Sequence, residues 1–223
     1  MRLVASPGEL VRKFSELLGI AEPTIVLHDR NLVVAGLRSK SGRGNSAARM
    51  TARDAAHLLV AVLGSGHVKD AAETVRRHRQ TRFHKSASGG YGDSSITALR
   101  NLPLDHSFVD AIEALIAAGA DGSLERAMYD SRAEMSGFAP IIEITVKTPG
   151  EVGYISIRGG DATGHGRYGP PGPLDHYQKS RLTAEEVDAW NQKFRDYYEE
   201  SDLTQYRQVT AKTIMELGWM LCA

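Results

Sequence analysis

The chain has 223 residues, of which 42% are apolar, and no apolar run approaches the length of a membrane-spanning helix, so one or two globular domains are expected. Its one cysteine, Cys222, excludes a disulfide within the chain and a cysteine-rich zinc cluster. The first residues also lack the apolar segment of a signal peptide. We therefore expect a cytoplasmic protein that spans no membrane.

The formal net charge is zero, but the charges are divided unevenly along the chain. Residues 1–85 contain 15 Lys and Arg against 7 Asp and Glu, a net charge of +8, and residues 86–223 contain 12 against 20, a net charge of −8. A basic module joined to an acidic one is typical of a nucleic-acid-binding protein with a separate assembly domain. An ordinary protein whose surface charges happen to divide in this way remains the alternative.

The basic part has a helical pattern of apolar residues. A first helix begins at a capping box at Ser6 and ends at Gly19, and a second covers about residues 22–36. Two short helices joined by a turn that contains glycine predict a helix-turn-helix unit. Further helices are predicted from Thr51 and over residues 68–79.

The second helix and the segment after it are the predicted DNA-binding elements. Polar residues of that helix alternate with apolar ones, as expected of a helix that enters the major groove. Residues 38–49 (RSKSGRGNSAAR) carry four basic residues and no acid in the position of a wing, and a flexible arginine-rich segment suits phosphate contacts. The predicted DNA-binding residues are Thr24, His28, Arg30, Asn31, Arg38, Lys40, Arg43 and Arg49.

Behind a glycine- and serine-rich linker at 86–95, residues 96–223 are predicted to form an acidic oligomerisation or effector domain. The periodicities predict helices at 105–118, 124–135, 183–199 and 203–221, a hairpin of strands 141–146 and 152–157, and a loop at 159–173. The predicted fold class is thus mainly α with a small β component (α+β): a winged helix-turn-helix at residues 1–85, then a helical domain that carries a β-hairpin.

The N-terminal part resembles the winged-helix DNA-binding domain of the MerR family. The resemblance rests on GELVRKFSELLGIAEPTIVLHDRNLVVAGL, the basic segment and MTARDAAHLLVAVL, which follow the family's order of helix, turn, recognition helix, wing and next helix. It implies a regulator that binds duplex DNA as a dimer. The family's dimerising coiled coil has no counterpart here, since no heptad run follows Arg79.

Two other functions remain open. Phage DNA-packaging proteins such as small terminase subunits, and architectural DNA-binding proteins, are similar in layout, with a helix-turn-helix followed by an oligomerisation region. An enzyme would have its site at the glycine-rich segment 159–173, but this segment lacks the Gly-Lys-Ser/Thr of a phosphate-binding loop. We expect no catalytic residue, metal or cofactor. The expected partners are double-stranded DNA and further copies of the chain, as a homodimer or higher oligomer.

Overall fold

A sheet with helices packed on one face forms the framework of the protein. The computed structural model describes residues 5–40, 49–84, 90–92, 94–134, 140–170, 183–189, 192 and 204–222. The helices are α1 (Pro7–Leu18), α2 (Glu22–Val34), α3 (Ala52–Gly64), α4 (Ala71–Gln80), α5 (Thr97–Arg100), α6 (Phe108–Ala120), α7 (Ser123–Glu134) and α8 (Ala211–Cys222), and residues 184–189 are also helical. The strands are β1 (Arg82–His84), β2 (Ile141–Thr148), β3 (Val152–Arg158), β4 (Gly164–Gly169) and β5 (Gln205–Thr210).

This arrangement confirms the predicted α+β class. None of the helices within the described ranges combines the length and apolar character that crossing a bilayer requires.

The five strands form one antiparallel sheet in the order β1-β4-β3-β2-β5. The predicted hairpin is confirmed as β2 and β3, in which Ile144 lies opposite Ile155. Alternate residues of these strands are buried, because one face of the sheet packs on the helices. The hairpin is therefore the central part of the sheet.

Two segments differ from the sequence-based expectation. Residues 164–169 were expected in a loop and form β4, while residues 205–210 were expected in a helix and form β5. In β4 the core-facing positions include Gly164 and Gly166, so the strand has no apolar alternation to detect. In β5, pairing with β2 stabilises the extended backbone, and this partner is present only in the folded protein.

Local hydrogen bonds fix where the helices begin. Capping boxes at Ser6, Thr51 and Ser107 start α1, α3 and α6. The predicted helix starts at Ser6 and Thr51 are confirmed, and Gly19 ends α1 with a φ of +64°. Because Ser107 is the N-cap residue, α6 begins at Phe108 rather than at residue 105.

Helix α3 lies at the centre of the core. Every residue from 54 to 63 is buried, since α2, α4, α6 and the sheet all pack against this helix. The core is continuous across the predicted linker: Leu59 on α3 and Ile112 on α6 belong to the same cluster. Strand β1, which precedes the linker, pairs with β4 behind it.

Candidate nucleic-acid interface

Helix α2 places its predicted DNA-binding residues on different faces. Arg30 is exposed, whereas Thr24 and Asn31 are half-buried. The Asn31 side-chain amide donates to the carbonyl oxygen of Val68 at 2.8 Å, which ties α2 to the turn before α4. His28 is buried, with 5% of its surface exposed. Of these four residues, only Arg30 is exposed.

Burial also determines the charge of His28. Removal from water lowers the pKa of this imidazole, and the nearby Arg207 guanidinium lowers it further. The ring is therefore neutral at neutral pH and faces the interior of the helical layer.

The exposed face of α2 is mainly apolar. Val26 is 44% exposed, Leu27 49% and Val34 81%, and together with Arg30 these residues follow the spacing of one helix face. An apolar face offers few donors or acceptors to base edges in a DNA groove. The remaining candidates lie in the segment that follows this helix.

Arg38, the first residue of the basic loop (residues 38–49), lies in the interior. Its guanidinium forms a two-point contact with Asp29, in which Nη2 donates to Oδ2 at 2.7 Å and Nε lies 2.5 Å from Oδ1. A second donor of the same group bonds the carbonyl oxygen of Ser39 at 2.7 Å. Arg38 thus fixes the start of the loop to α2 and is not free to bind a phosphate.

The two ends of the basic loop meet at the start of α3. Nη1 of Arg38 lies 3.9 Å from the sulfur of Met50, and the Met50 N–H donates to the carbonyl oxygen of Ala5 at 3.1 Å. The Ser39 N–H and hydroxyl donate to Asp54 at 2.9 and 3.2 Å. Four hydrogen bonds to Asp54, two from Ser39 and two from Thr51, therefore close the loop base on α3.

Two of the predicted basic residues are exposed at this closed base. Lys40 follows the anchored Ser39, and Arg49 precedes the buried Met50. Arg43 lies outside the described residues. The structure therefore places Lys40 and Arg49 together on either side of the loop base, where both side chains reach solvent.

A groove that we call the arginine groove lies between α3, α4 and α6. It has a volume of about 690 Å³ and is lined by Arg53 of α3, Arg79 of α4 and Arg82 of β1. Arg53 directly precedes Asp54, to which Ser39 of the loop base is bonded. The acidic residues that also line it are Asp105, Asp110 and Glu113.

Two of those acids are already engaged. Glu113 pairs with Arg53 at 3.0 Å, so each offsets the charge of the other, and Asp110 completes the capping box of α6. Loss of water is the main cause that lowers the pKa of the buried His57, and a hydrogen bond to the Leu37 carbonyl opposes it. The charges of Arg79 and Arg53 lower this pKa further. The two arginines therefore act on one neutral imidazole, which adds no positive charge of its own.

Arg53 was missed by the sequence analysis, which searched the second helix and the segment after it. Arg79 and Arg82 belong to the basic residues around the end of α4, where cations also stabilise a helix C-terminus. One signal was present in the sequence. Arg49 and Arg53 are four residues apart at the start of a helix, a place where acidic residues are usual.

A second cleft, of about 630 Å³, lies between α4 and the β2–β3 turn and is lined mainly by acidic groups among its charged residues. Asp70, Glu73 and Glu151 line it, and Arg77 contacts Glu73 and Glu151 at 3.0 Å each. Burial raises the pKa of the Glu151 carboxyl, an effect that Arg77 opposes. Within the described ranges, no group of three or more His, Cys, Asp or Glu has the arrangement of a metal site.

The glycine-rich segment has a packing explanation. A Cβ at Gly166 would lie 1.9 Å from the Tyr91 hydroxyl oxygen, and one at Gly164 would lie 3.0 Å from the ring of Tyr91. The Tyr91 hydroxyl in turn accepts from Tyr168 at 3.2 Å. These glycines admit a buried aromatic side chain next to the sheet, so their presence requires no phosphate ligand.

Comparison with known proteins adds no relative: no family model matches the chain, and no curated protein or solved structure is significantly similar to it.

Proposed function

We propose that this protein binds duplex DNA through the basic loop and the arginine groove. In this proposal α1 and α2 form the helix-turn-helix pair, and residues 38–49 take the place of the wing. The cations that contact phosphate are Lys40, Arg43 and Arg49 of the loop and Arg53, Arg79 and Arg82 of the groove. The function that we favour is transcriptional regulation.

The observation that supports the proposal most is the closed base of the loop. At one end Arg38 is bound to α2 and Ser39 to α3, and at the other end Met50 contacts Arg38 and Ala5. Lys40 and Arg49 therefore leave from a fixed point. Cations held in place lose less conformational entropy when they bind phosphates than cations on a free tail. Because Arg53 directly precedes Asp54, the loop and the groove act as one DNA-binding surface in this proposal.

Burial of two acidic residues leaves the surface of residues 1–85 more positive. Asp29 is neutralised by Arg38 in the interior, and Asp54 is buried as the cap of α3 and the anchor of the loop. Two of the 7 acidic residues of the basic part are therefore not on the surface, while Arg38 is the one cation found buried among its described residues. The net positive charge of residues 1–85 is thus carried mainly by exposed side chains.

The experiment is a titration of the full chain with duplex DNA over a series of salt concentrations. The two variants are Lys40→Gln with Arg49→Gln and Arg79→Gln with Arg82→Gln. Each phosphate contact contributes about 0.9 to the slope of log K against log salt, so each variant should flatten the slope by up to about 2. The matched control, Arg126→Gln with Lys212→Gln, removes two exposed cations on α7 and α8 and should leave the slope unchanged.

Two results would contradict the proposal: absence of binding at low salt, or equal salt slopes for the loop variant and the control. Thermal unfolding of each variant shows whether the fold is retained. A competition with unrelated DNA then separates the two DNA-binding roles. Sequence-selective binding indicates a regulator, and unselective binding indicates a packaging or architectural protein.

A further inference from the structure

Helix α2 has an apolar face without a partner among the described residues. Val26, Leu27 and Val34 surround Arg30 on this face, while Ile25 and Leu32 on the opposite face are fully buried. A surface helix normally carries polar residues opposite its buried stripe. Apolar residues on both faces indicate a helix that packs against something on each side.

The charges on this face favour a second copy of the same helix. Glu22 and Arg30 are both exposed and lie four residues before and four residues after Val26. Neither forms an ion pair with another residue in the part of the chain that the structure describes. In an antiparallel pair that crosses at Val26, Glu22 of each copy lies at the level of Arg30 of the other.

We propose that the protein forms a twofold-symmetric dimer in which α2 packs antiparallel against α2 of a second copy, with Val26 and Leu27 at the axis. The contact is isologous: the same face serves both copies, and each copy contributes one half of two Glu22–Arg30 ion pairs. A parallel pair would place like charges at the same level and leave the complementary spacing unused.

The dimensions of the contact determine its strength. Helix α2 has 13 residues, hence a length of about 20 Å at 1.5 Å per residue. A pair of helices of this length buries less surface than the roughly 1,200 Å² at the lower end of stable interfaces. We therefore expect a weak dimer, which is strengthened when both copies bind one DNA molecule.

The dimer does not depend on the proposed function, but it determines where the two basic loops begin. Val34, the last residue of α2, lies eight residues from the crossing point, so the two C-terminal ends are about 24 Å apart. The pairing of Arg38 with Asp29 brings the start of each basic loop back along α2 from these ends.

The test is sedimentation velocity of the full chain without DNA, over protein concentrations from about 1 to 300 µM, a range set by the interface size. The parent should pass from monomer to dimer, and Val26→Glu should raise the dissociation constant at least tenfold. Leu104→Glu is the matched control, since Leu104 is 82% exposed and lies outside α2. It should dimerise like the parent.

Charge reversal distinguishes this pairing from any other use of the same face. Glu22→Arg and Arg30→Glu should each weaken the dimer, because each places two like charges at both ends of the contact. The double variant restores opposite charges and should regain the parent dissociation constant. Circular dichroism checks that α2 stays helical in each variant.

A parent chain that is monomeric throughout the range, or a double variant no better than the two single variants, overturns the dimer. DNA titration of Val26→Glu separates this failure from that of the proposed function. If the monomeric variant binds DNA with the same slope of log K against log salt as one protomer of the parent, the proposed function stands even if the dimer is overturned.

Discussion

The guanidinium of Arg38 and the carboxylate of Asp29 form an ion pair in the interior, with 5% and 12% of their side chains exposed. The pair joins the start of the basic loop to α2 through two contacts, at 2.5 and 2.7 Å, one to each carboxylate oxygen. A buried pair of this kind is costly to break, because the remaining charge loses both water and its partner.

The first prediction concerns the removal of one member of this pair. Arg38→Met should lower the free energy of unfolding by about 3–5 kcal/mol, since Asp29 stays buried without a counter-ion. Urea denaturation measures the change. The double variant Arg38→Met with Asp29→Leu should recover most of the loss, because apolar residues of similar size tolerate the same site.

Lys13→Met provides the control, since Lys13 pairs with Glu216 at 2.6 Å but both side chains are more than a quarter exposed. It should cost less than about 1 kcal/mol. If Arg38→Met and Lys13→Met cost the same, the Arg38–Asp29 pair does not stabilise the loop base as inferred. Because Arg38 is buried, a folded Arg38→Met protein should keep the parent's salt slope for DNA binding.

The second prediction concerns the closest approach between two helices. A Cβ at Gly218 of α8 would lie 2.5 Å from the carbonyl carbon of Gly119 and 2.6 Å from the Ala120 nitrogen on α6. Since backbone atoms cannot rotate away, Gly218→Ala should separate the helices and cost about 1–3 kcal/mol. At Gly119 the nearest atom to a new Cβ would be the Ile214 oxygen at 3.2 Å. Gly119→Ala should therefore cost clearly less.

Chemical denaturation of the two variants is a matched comparison, because both replace a helical glycine by alanine and both gain the same helix propensity. Equal effects would show that α6 and α8 have room to separate, and that small residues are not required at their crossing.

The sequence predicted the elements whose signals are local. The side chains of Ser6 and Thr51 accept hydrogen bonds from backbone N–H groups three residues later, so these helix starts need no distant partner. The β2–β3 hairpin has its alternation of apolar residues within two adjacent segments. The strands β4 and β5 depend on distant partners. Nothing in residues 164–169 reveals that Tyr91 occupies the space beside Gly166.

The same limit applies to the candidate site. Charge counting found the basic loop, but it treated all four cations as equivalent, and burial separates Arg38 from Lys40 and Arg49. The difference arises from Asp29, nine residues earlier on α2, whose carboxylate is directed at Arg38 by the packing of the helix. A spacing of nine residues across a helix end is not a recognisable sequence motif.

The third prediction concerns acid. His78 is buried, and loss of water lowers its pKa from 6.5 to about 4. Between about pH 6.5 and pH 4, the unfolded chain therefore binds up to one more proton at His78 than the folded chain does. The free energy of unfolding falls as the pH decreases through this range. The pKa values of His28, His57 and His106 are lowered for the same main reason, so their contributions have the same sign.

We expect the stability to be nearly constant above about pH 7 and to fall below pH 6.5 by up to about 1.4 kcal/mol per pH unit for each such histidine. His78→Leu should reduce this slope by up to one proton, as measured by urea denaturation at pH 7.5, 6.0 and 5.0. Glu151, whose pKa is raised, acts in the opposite direction at the acid end. His67→Leu is the matched control because His67 is exposed. A slope that is the same in His78→Leu as in the parent would contradict the prediction.

The last prediction concerns the other anchor of the basic loop, the Asp54 carboxylate. It accepts hydrogen bonds from Ser39 at 2.9 and 3.2 Å and from Thr51 at 2.9 and 2.8 Å, so it caps α3 and holds the loop base at once. Asp54→Asn replaces one acceptor oxygen by a donor and should cost about 1–2 kcal/mol.

Asp110→Asn is the matched control, because Asp110 completes the capping box of α6 with Ser107 and has no bond to the basic loop. Both variants should lose similar stability, but only Asp54→Asn should free Ser39. Trypsin cleavage after Lys40 or Arg49 should then be about tenfold faster, the factor that corresponds to about 1.4 kcal/mol of lost anchoring. Equal cleavage rates in the two variants would show that the ion pair of Arg38 holds the loop base without Asp54, and the closed base would then depend on one anchor instead of two.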